Sequence, residues 1–230
     1  ICGDCTDADV VARLMDGGVA NIEIHDPPYG MRLNTDWSSA KSSLASAQEK
    51  HLFGGKKYDA VIGDDNDFNP THLFDRDLPK EMFLWGADYY AERIPNRLNG
   101  SLLVWDKRLN ESADRMYGSC FEICWSLKKH KQDMLRVLWS GVFGVEKEPE
   151  RKRSHPTQKP VALYELMLNK YSNTNDVVGD WYIGAGSHLI ACERLGRKCR
   201  AIDIEPKYVA VTLERWATYT GQQPELILQI

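Results

Sequence analysis

Hydrophobic positions fall in short clusters separated by polar and turn-forming residues. Asn21-Ile22-Glu23-Ile24-His25 and Ser101-Leu102-Leu103-Val104-Trp105 are short apolar runs, and each predicts a buried strand. Ahead of the first, Asp7 or Asp9 can cap a helix that runs to Met15 and stops at Gly17-Gly18. The segment from Pro79 to Arg97 places Met82, Phe83, Trp85 and Tyr89 mostly on one side of an expected helix. Cys120–Leu127 and Met134–Trp139 predict an antiparallel pair joined by a basic turn. Residues 34–57 read as a mobile loop with one short helix, a candidate lid, and residues 140–159 as a charged loop. Tyr58 to Gly63 is apolar but has no clear place.

The last third has the most regular pattern. Pro160 opens a helix to Tyr171, Asp176–Tyr182 reads as a strand, and a helix follows from Ser187 to Leu195. Lys198–Ile204 is the next strand, and Pro206–Tyr219 the final helix. Such a βαβα unit builds a parallel sheet with helices on both faces, so the fold class expected is α/β.

Composition narrows the class without changing it. With 230 residues, 43% hydrophobic and 27% charged, the chain is expected to be one domain over residues 1–230, with small recognition elements embedded at about 34–57 and 127–155. No apolar run approaches the ~18 residues of a membrane span, and no signal peptide is evident. The chain begins at Ile1 without an initiator Met, so residues upstream stay open. Six scattered cysteines read as reduced thiols; Cys2-Gly3-Asp4-Cys5 has metal-ligand spacing but no second pair, so no metal is expected. A formal charge of −4 excludes an overall basic surface. It leaves two local basic clusters suited to phosphate: Lys128, Lys129, His130 and Lys131 with Arg136, and Arg151, Lys152 and Arg153 with His155.

Candidate chemistry begins where the first apolar strand ends, at Asp26-Pro27-Pro28-Tyr29-Gly30. In α/β sheets ligands meet the carboxyl ends of strands. Two prolines remove two backbone donors, so the run offers a carboxylate, a carbonyl and an aromatic ring within four residues. Asp26 and the Pro27 carbonyl can accept the hydrogens of an exocyclic amine while Tyr29 stacks on its heterocycle. A plain strand-to-loop turn would use the same residue types.

The second constellation is Asp180-Trp181-Tyr182-Ile183-Gly184-Ala185-Gly186-Ser187, between strand and helix. Glycine there admits a ligand to the backbone, and a helix N-terminus favours an anionic group. Asp203 ends the next strand 23 residues after Asp180, near the ~20-residue offset at which such sheets bind ribose hydroxyls. Leu189 stands where a dinucleotide fold would place its third glycine, which argues against a nicotinamide dehydrogenase.

In their order along the chain these pieces resemble the amino-group DNA methyltransferases in which the catalytic motif precedes the cofactor motif. Asp26-Pro27-Pro28-Tyr29 resembles their catalytic motif, and Asp180 through Ser187 their Asp-Pro-Phe-x-Gly-Ser-Gly-Thr signature. Ser154-His155-Pro156-Thr157-Gln158-Lys159-Pro160 is similar to the segment before the cofactor strand, and Gly3-Asp4-Cys5 to the N-terminal strand end. The resemblance implies a Rossmann-like methyltransferase fold, with a mixed, mostly parallel sheet, and S-adenosylmethionine as cofactor. It assigns catalysis to Asp26, Pro27, Pro28 and Tyr29. It assigns the cofactor to Asp4 and Cys5 (adenine), Asp203 (ribose), Gly184, Gly186 and Ser187 (methionine), with Asp26, Asp180, Tyr182, Thr157 and Lys159 beside them. Trp181 stands where the family usually has Pro, and Tyr182 where it usually has Phe; the tryptophan is expected to reshape the loop beside the cofactor.

The implied substrate is double-stranded DNA, methylated at adenine N6 in a flipped-out base, with phosphates held by Lys128, Lys129, Lys131, Arg136, Arg151 and Arg153. The implied setting is the cytoplasm of a bacterium or a phage-infected host, with a role in restriction-modification or phage biology; a homodimer stays open. Cytosine N4, an RNA adenine and a catalytically silent nucleic-acid-binding subunit are the alternatives.

Overall fold

The computed structural model describes residues 1–36, 57–108, 119–139 and 155–227. Among these, seven strands form one mixed sheet in the order β5-β3-β4-β2-β1-β6-β7. The strands are β1 (Ile22–His25), β2 (Glu81–Trp85), β3 (Ser101–Asp106), β4 (Phe121–Ser126), β5 (Asp133–Arg136), β6 (Val177–Asp180) and β7 (Lys198–Ala201). Only β4 runs against its neighbours, pairing antiparallel with both β2 and β3. The described helices are α1 (Ala8–Met15), the short α2 (Ala87–Tyr90), α3 (Val161–Tyr171), α4 (Ser187–Arg194) and α5 (Pro206–Thr220). None is long and apolar enough to cross a membrane.

Local chemistry explains the helix ends. The Asp7 carboxylate accepts the Asp9 N–H at 2.9 Å at the start of α1. Glu205 caps α5, Pro206 fills its first turn, and Gly221 ends it at φ 71°. One face of the sheet buries Leu163, Met167 and Leu168 of α3 and Ile190 of α4; the other buries Val11 and Met15 of α1 with Tyr90 and Ile94. Helices on both faces oblige the central strands to be buried on both sides, which is why Met82–Trp85 of β2 reads as a continuous apolar run.

That continuity misleads the sequence reading in one place. The helix expected over 79–97 is overturned in its first half: Met82, Phe83, Leu84 and Trp85 form a central strand, each with no exposed surface, and helix begins only at Ala87. A wholly apolar run satisfies helical and strand periods equally, and Gly86 at φ 66° breaks the chain immediately after it. The expected pairing of the two later strands is also corrected. β4 and β5 lie on opposite sides of β3, with β5 parallel to it.

Polar residues inside β1 are paired. Glu23 and His25 have no exposed surface, and Glu23 receives Arg76 through two oxygens and His25 Nε2 at 3.0 Å. Burial would raise the Glu23 carboxyl, but the Arg76 and His25 contacts outweigh it and hold it below its ordinary value. Trp181 packs into this region. It is 1% exposed, its backbone N–H reaches His25 Nδ1 at 3.2 Å, and the Arg76 guanidinium lies 5.2 Å from its ring.

Candidate active site

Parallel strands bring their carboxyl ends to one edge, and β1 pairs with β2 on one side and β6 on the other. Asp26 therefore leaves the sheet beside both the β2 tip and the 181–187 turn. Past Tyr29 the backbone turns through Gly30 at φ 79°, where an added Cβ would lie 2.5 Å from the Asn66 carbonyl oxygen. Asp64 fixes this turn. Its carboxylate accepts the N–H groups of Gly30 (3.1 Å), Met31 (3.1 Å) and Leu33 (2.7 Å), while its own carbonyl accepts that of Arg32 (3.0 Å). Nothing in the apolar pattern points to Asp64; the Gly63-Asp64-Asp65-Asn66 turn chemistry was its one available signal.

Asp26 lies in a cluster of charges. Its Oδ1 accepts the Tyr29 hydroxyl at 2.5 Å and the Lys159 ammonium, which also donates to the Tyr29 oxygen at 3.0 Å. Glu122, at the start of β4, sits 3.2 Å from the same ammonium and pairs with Lys107 through its other oxygen. Burial raises the Asp26 carboxyl against the pull of Lys159. Burial likewise lifts the Tyr29 phenol well above its ordinary range, reinforced by the Asp26 charge. For Lys159 burial works downward, but the two carboxylates win and hold it above its ordinary value. Lys159 thus extends to Asp26. Glu122 carried no signal in the sequence, because its role depends on an antiparallel strand whose first residues face the active edge.

Tyr29 is half of an aromatic platform. Its ring stacks on Tyr89 at 5.3 Å and 19° between planes, and Tyr89 is 52% exposed. Gly86 packs directly beneath Tyr29.

The second cradle joins the ends of β6 and β7 to the N-terminal segment. Cys2 bridges to Asp203, and the Gly3 N–H reaches the Asp203 carbonyl at 2.9 Å, which sets Asp4 and Cys5 beside Tyr182 and Asp203. Asp4 accepts both the N–H and the hydroxyl of Thr6, at 2.8 and 2.7 Å. Asp180 is 1% exposed and holds the Tyr182 N–H at 2.9 Å and His188 at 3.0 Å, so its carboxylate organises the turn. Asp203 accepts the Gly184 N–H at 2.8 Å and the Glu205 N–H at 2.9 Å. Gly184 and Gly186 take φ 52° and 79°. The buried Ser187 hydroxyl has no hydrogen-bond partner among the described residues. His155 lies over this turn, its ring 3.8 Å from where a Gly184 Cβ would be, and Thr157 bonds to it at 3.1 Å.

The basic residues separate. Lys128, Lys129 and Lys131 follow the far end of β4, about 20 Å from Glu122 at ~3.3 Å per residue, so the structure does not bring them to Asp26. Lys129 instead donates to the carbonyls of Leu98 (3.4 Å) and Gly100 (3.2 Å). Arg136 ends β5 on the active edge, 3.8 Å from Asp106 with its side chain 68% exposed. Arg151, Arg153 and most of the expected lid over 34–57 lie outside the described residues.

Residues 80–214, more than half of the chain, match the N6/N4 methyltransferase family described as DNA methylase. Type II methyltransferase M.HpaI of Haemophilus parainfluenzae is 41% identical over 66 residues, 29% of this chain and 21% of that protein. Type II methyltransferase M2.LlaDCHI of Lactococcus lactis subsp. cremoris is 29% identical over 120 residues, 51% of this chain and 43% of that protein. The chain thus spans less than half the length of these curated relatives. Among solved structures, the cytosine-N4-specific PvuII DNA methyltransferase aligns with TM-score 0.54 at 14% identity, over 94% of this chain and 84% of that one. The M1.HpyAVI–SAM complex aligns with TM-score 0.50 at 18% identity, over 94% and 97%. Likeness at such low identity shows a common fold. With the family match over most of the sheet, the chain belongs to the N6/N4 DNA methylase family, the amino-group DNA methyltransferases.

Proposed function

We propose that this protein transfers the methyl group of S-adenosylmethionine to the exocyclic N6 of adenine in a base flipped out of double-stranded DNA. The observation that carries the reading is the direct pairing of β1 with β6. It sets an amine acceptor, Asp26, beside a glycine turn open to a ligand.

The residues of the turn fit the cofactor. Ser187 offers a buried hydroxyl without a partner among the described residues at the first turn of α4, suited to a carboxylate, and Gly184 and Gly186 leave the backbone of the turn bare. Asp203, Asp4, Cys5 and Tyr182 would hold the nucleoside end. When bound, the cofactor supplies a methyl group already activated on a sulfonium.

The chain's task is then alignment, which in favourable cases supplies ~7–11 kcal/mol of barrier reduction. An aromatic amine is a weak nucleophile because its lone pair is delocalised into the ring. Hydrogen bonds from the amine to Asp26 and the Pro27 carbonyl favour a pyramidal nitrogen and localise that pair. The proton leaves after transfer, through Asp26 to water. Flipping costs a few kcal/mol, and stacking on the Tyr29–Tyr89 platform, ~1–3 kcal/mol per base, offsets part of it. Arg136, on the active edge, is the phosphate contact this geometry favours, with the charged end of β3 beside it.

Mass spectrometry of nucleosides from DNA incubated with the protein and labelled cofactor tests the reading. Label on N6-methyladenine supports it, and label on cytosine N4 would move the assignment to the other base. Asp26→Ala is expected to abolish transfer while keeping cofactor binding, and a fully active variant would refute the role of Asp26.

A further inference from the structure

The Lys159 ammonium occupies the acceptor that the target amine needs. Its Nζ donates to Asp26 Oδ1 and the Tyr29 oxygen, 5.6 Å from the Tyr29 ring centre and 5.5 Å from that of Trp85. In hydrogen-bonding terms it stands in for an exocyclic amine on the same carboxylate. The side chain is 5% exposed, so an ammonium displaced from Asp26 by an entering base stays inside the protein and needs another anion.

A second anion lies within reach. Glu122 Oε2 is inaccessible to solvent, and its nearest cation among the described residues is the same ammonium, at an ion-pair distance of 3.2 Å from Nζ. Lys107 holds the other Glu122 oxygen, which keeps Oε2 turned toward Lys159.

We propose that Glu122 is a positioning residue that takes over the Lys159 ammonium when the target amine binds Asp26. The exchange needs only a short swing of Nζ between two carboxylates, and the cation stays paired throughout. It also frees Asp26 of its counter-charge as positive charge develops on the amine nitrogen. This proposal rests on the methyl-transfer reading above.

Glu122→Gln should leave the ammonium on Asp26, so the base must compete with it. Steady-state methyl transfer to unmethylated DNA of mixed sequence should then show kcat/KM at least about tenfold below wild type. Adding Lys159→Met to that variant removes the competitor and should recover most of the loss. A purely structural role predicts the reverse, since deleting a second buried group would deepen the defect. Wild-type kcat/KM in Glu122→Gln, or a double variant no better than the single one, overturns the proposal. If Glu122→Gln shows no cooperative melting, Glu122→Asp keeps the charge with a shorter reach. It should show a smaller loss that Lys159→Met again relieves, and an unrelieved or absent loss overturns the proposal. Wild-type protein that labels no DNA would instead remove the methyl-transfer reading and the proposal with it.

Discussion

Gly86→Ala separates the aromatic platform from the charges beside it. The added Cβ would lie 2.2, 2.4 and 2.5 Å from Tyr29 Cε1, Cζ and Cδ1. The ring cannot retreat freely: it stacks on Tyr89 at 5.3 Å, and its hydroxyl is 2.5 Å from Asp26. Gly86 also sits at φ 66°, which costs an L-residue about 1–2 kcal/mol. If the ring holds its place, overpacking adds roughly 1–3 kcal/mol and the whole cost falls on stability. If the ring swings away, stability falls by the backbone term alone, and the base loses ~1–3 kcal/mol of stacking. At 1.4 kcal/mol per decade, that loss lowers kcat/KM by about 5- to 150-fold. The assay pairs methyl transfer with thermal melting and calorimetric titration of cofactor, whose binding should be unchanged because Gly86 lies on the β2 side of β1. A variant that melts and transfers like wild type would refute the packing argument and the role given to Tyr29.

Three further predictions concern other parts of the molecule. Arg136→Ala should weaken binding to all DNA sequences alike and reduce the salt slope by about one, while Lys129→Ala should not; the opposite ranking in salt-titrated binding would relocate the DNA face. His72 donates to or accepts from the Tyr182 hydroxyl at 2.7 Å, and burial foremost, then His25, lowers its imidazole to about 4. Its folded value lies below its unfolded one, so its stabilising contribution is complete above about pH 6.5 and is lost as pH falls through about 4. Discounted for partial exposure, this is about 2 kcal/mol, and His72→Gln should lose that part of the acid dependence in denaturant midpoints; an unchanged dependence sinks the assignment. Trp181→Ala should cost about 3–5 kcal/mol of stability by opening a cavity beneath Arg76, and Trp181→Phe much less; a melting temperature near wild type in the alanine variant would contradict the packing role.

Much of the active edge was legible along the chain because its information is local. A short strand followed by Asp26-Pro27-Pro28-Tyr29 marks both a strand tip and the polar and aromatic groups it presents. Asp180 through Ser187 does the same for the second tip, with caps and turn glycines marking the helices that follow. The reading failed where a pattern admits two periods, as at Met82–Trp85, and where strands had to choose partners. β4 and β5 were recognised as strands, yet nothing in their own residues says that β3 lies between them.

What the sequence by itself determined, then, is the kind of element at each position and the residues at two strand tips, since propensity, capping and turn chemistry act over a few neighbours. Tertiary structure alone decided which groups meet. Reversal of β4 carries Glu122 to the active edge and Lys128, Lys129 and Lys131 to the opposite one. The fold also sets Lys159 on Asp26 across 133 positions of chain. Long-range contacts of this kind follow from strand order and burial, and the energy that fixes them belongs to the assembled sheet.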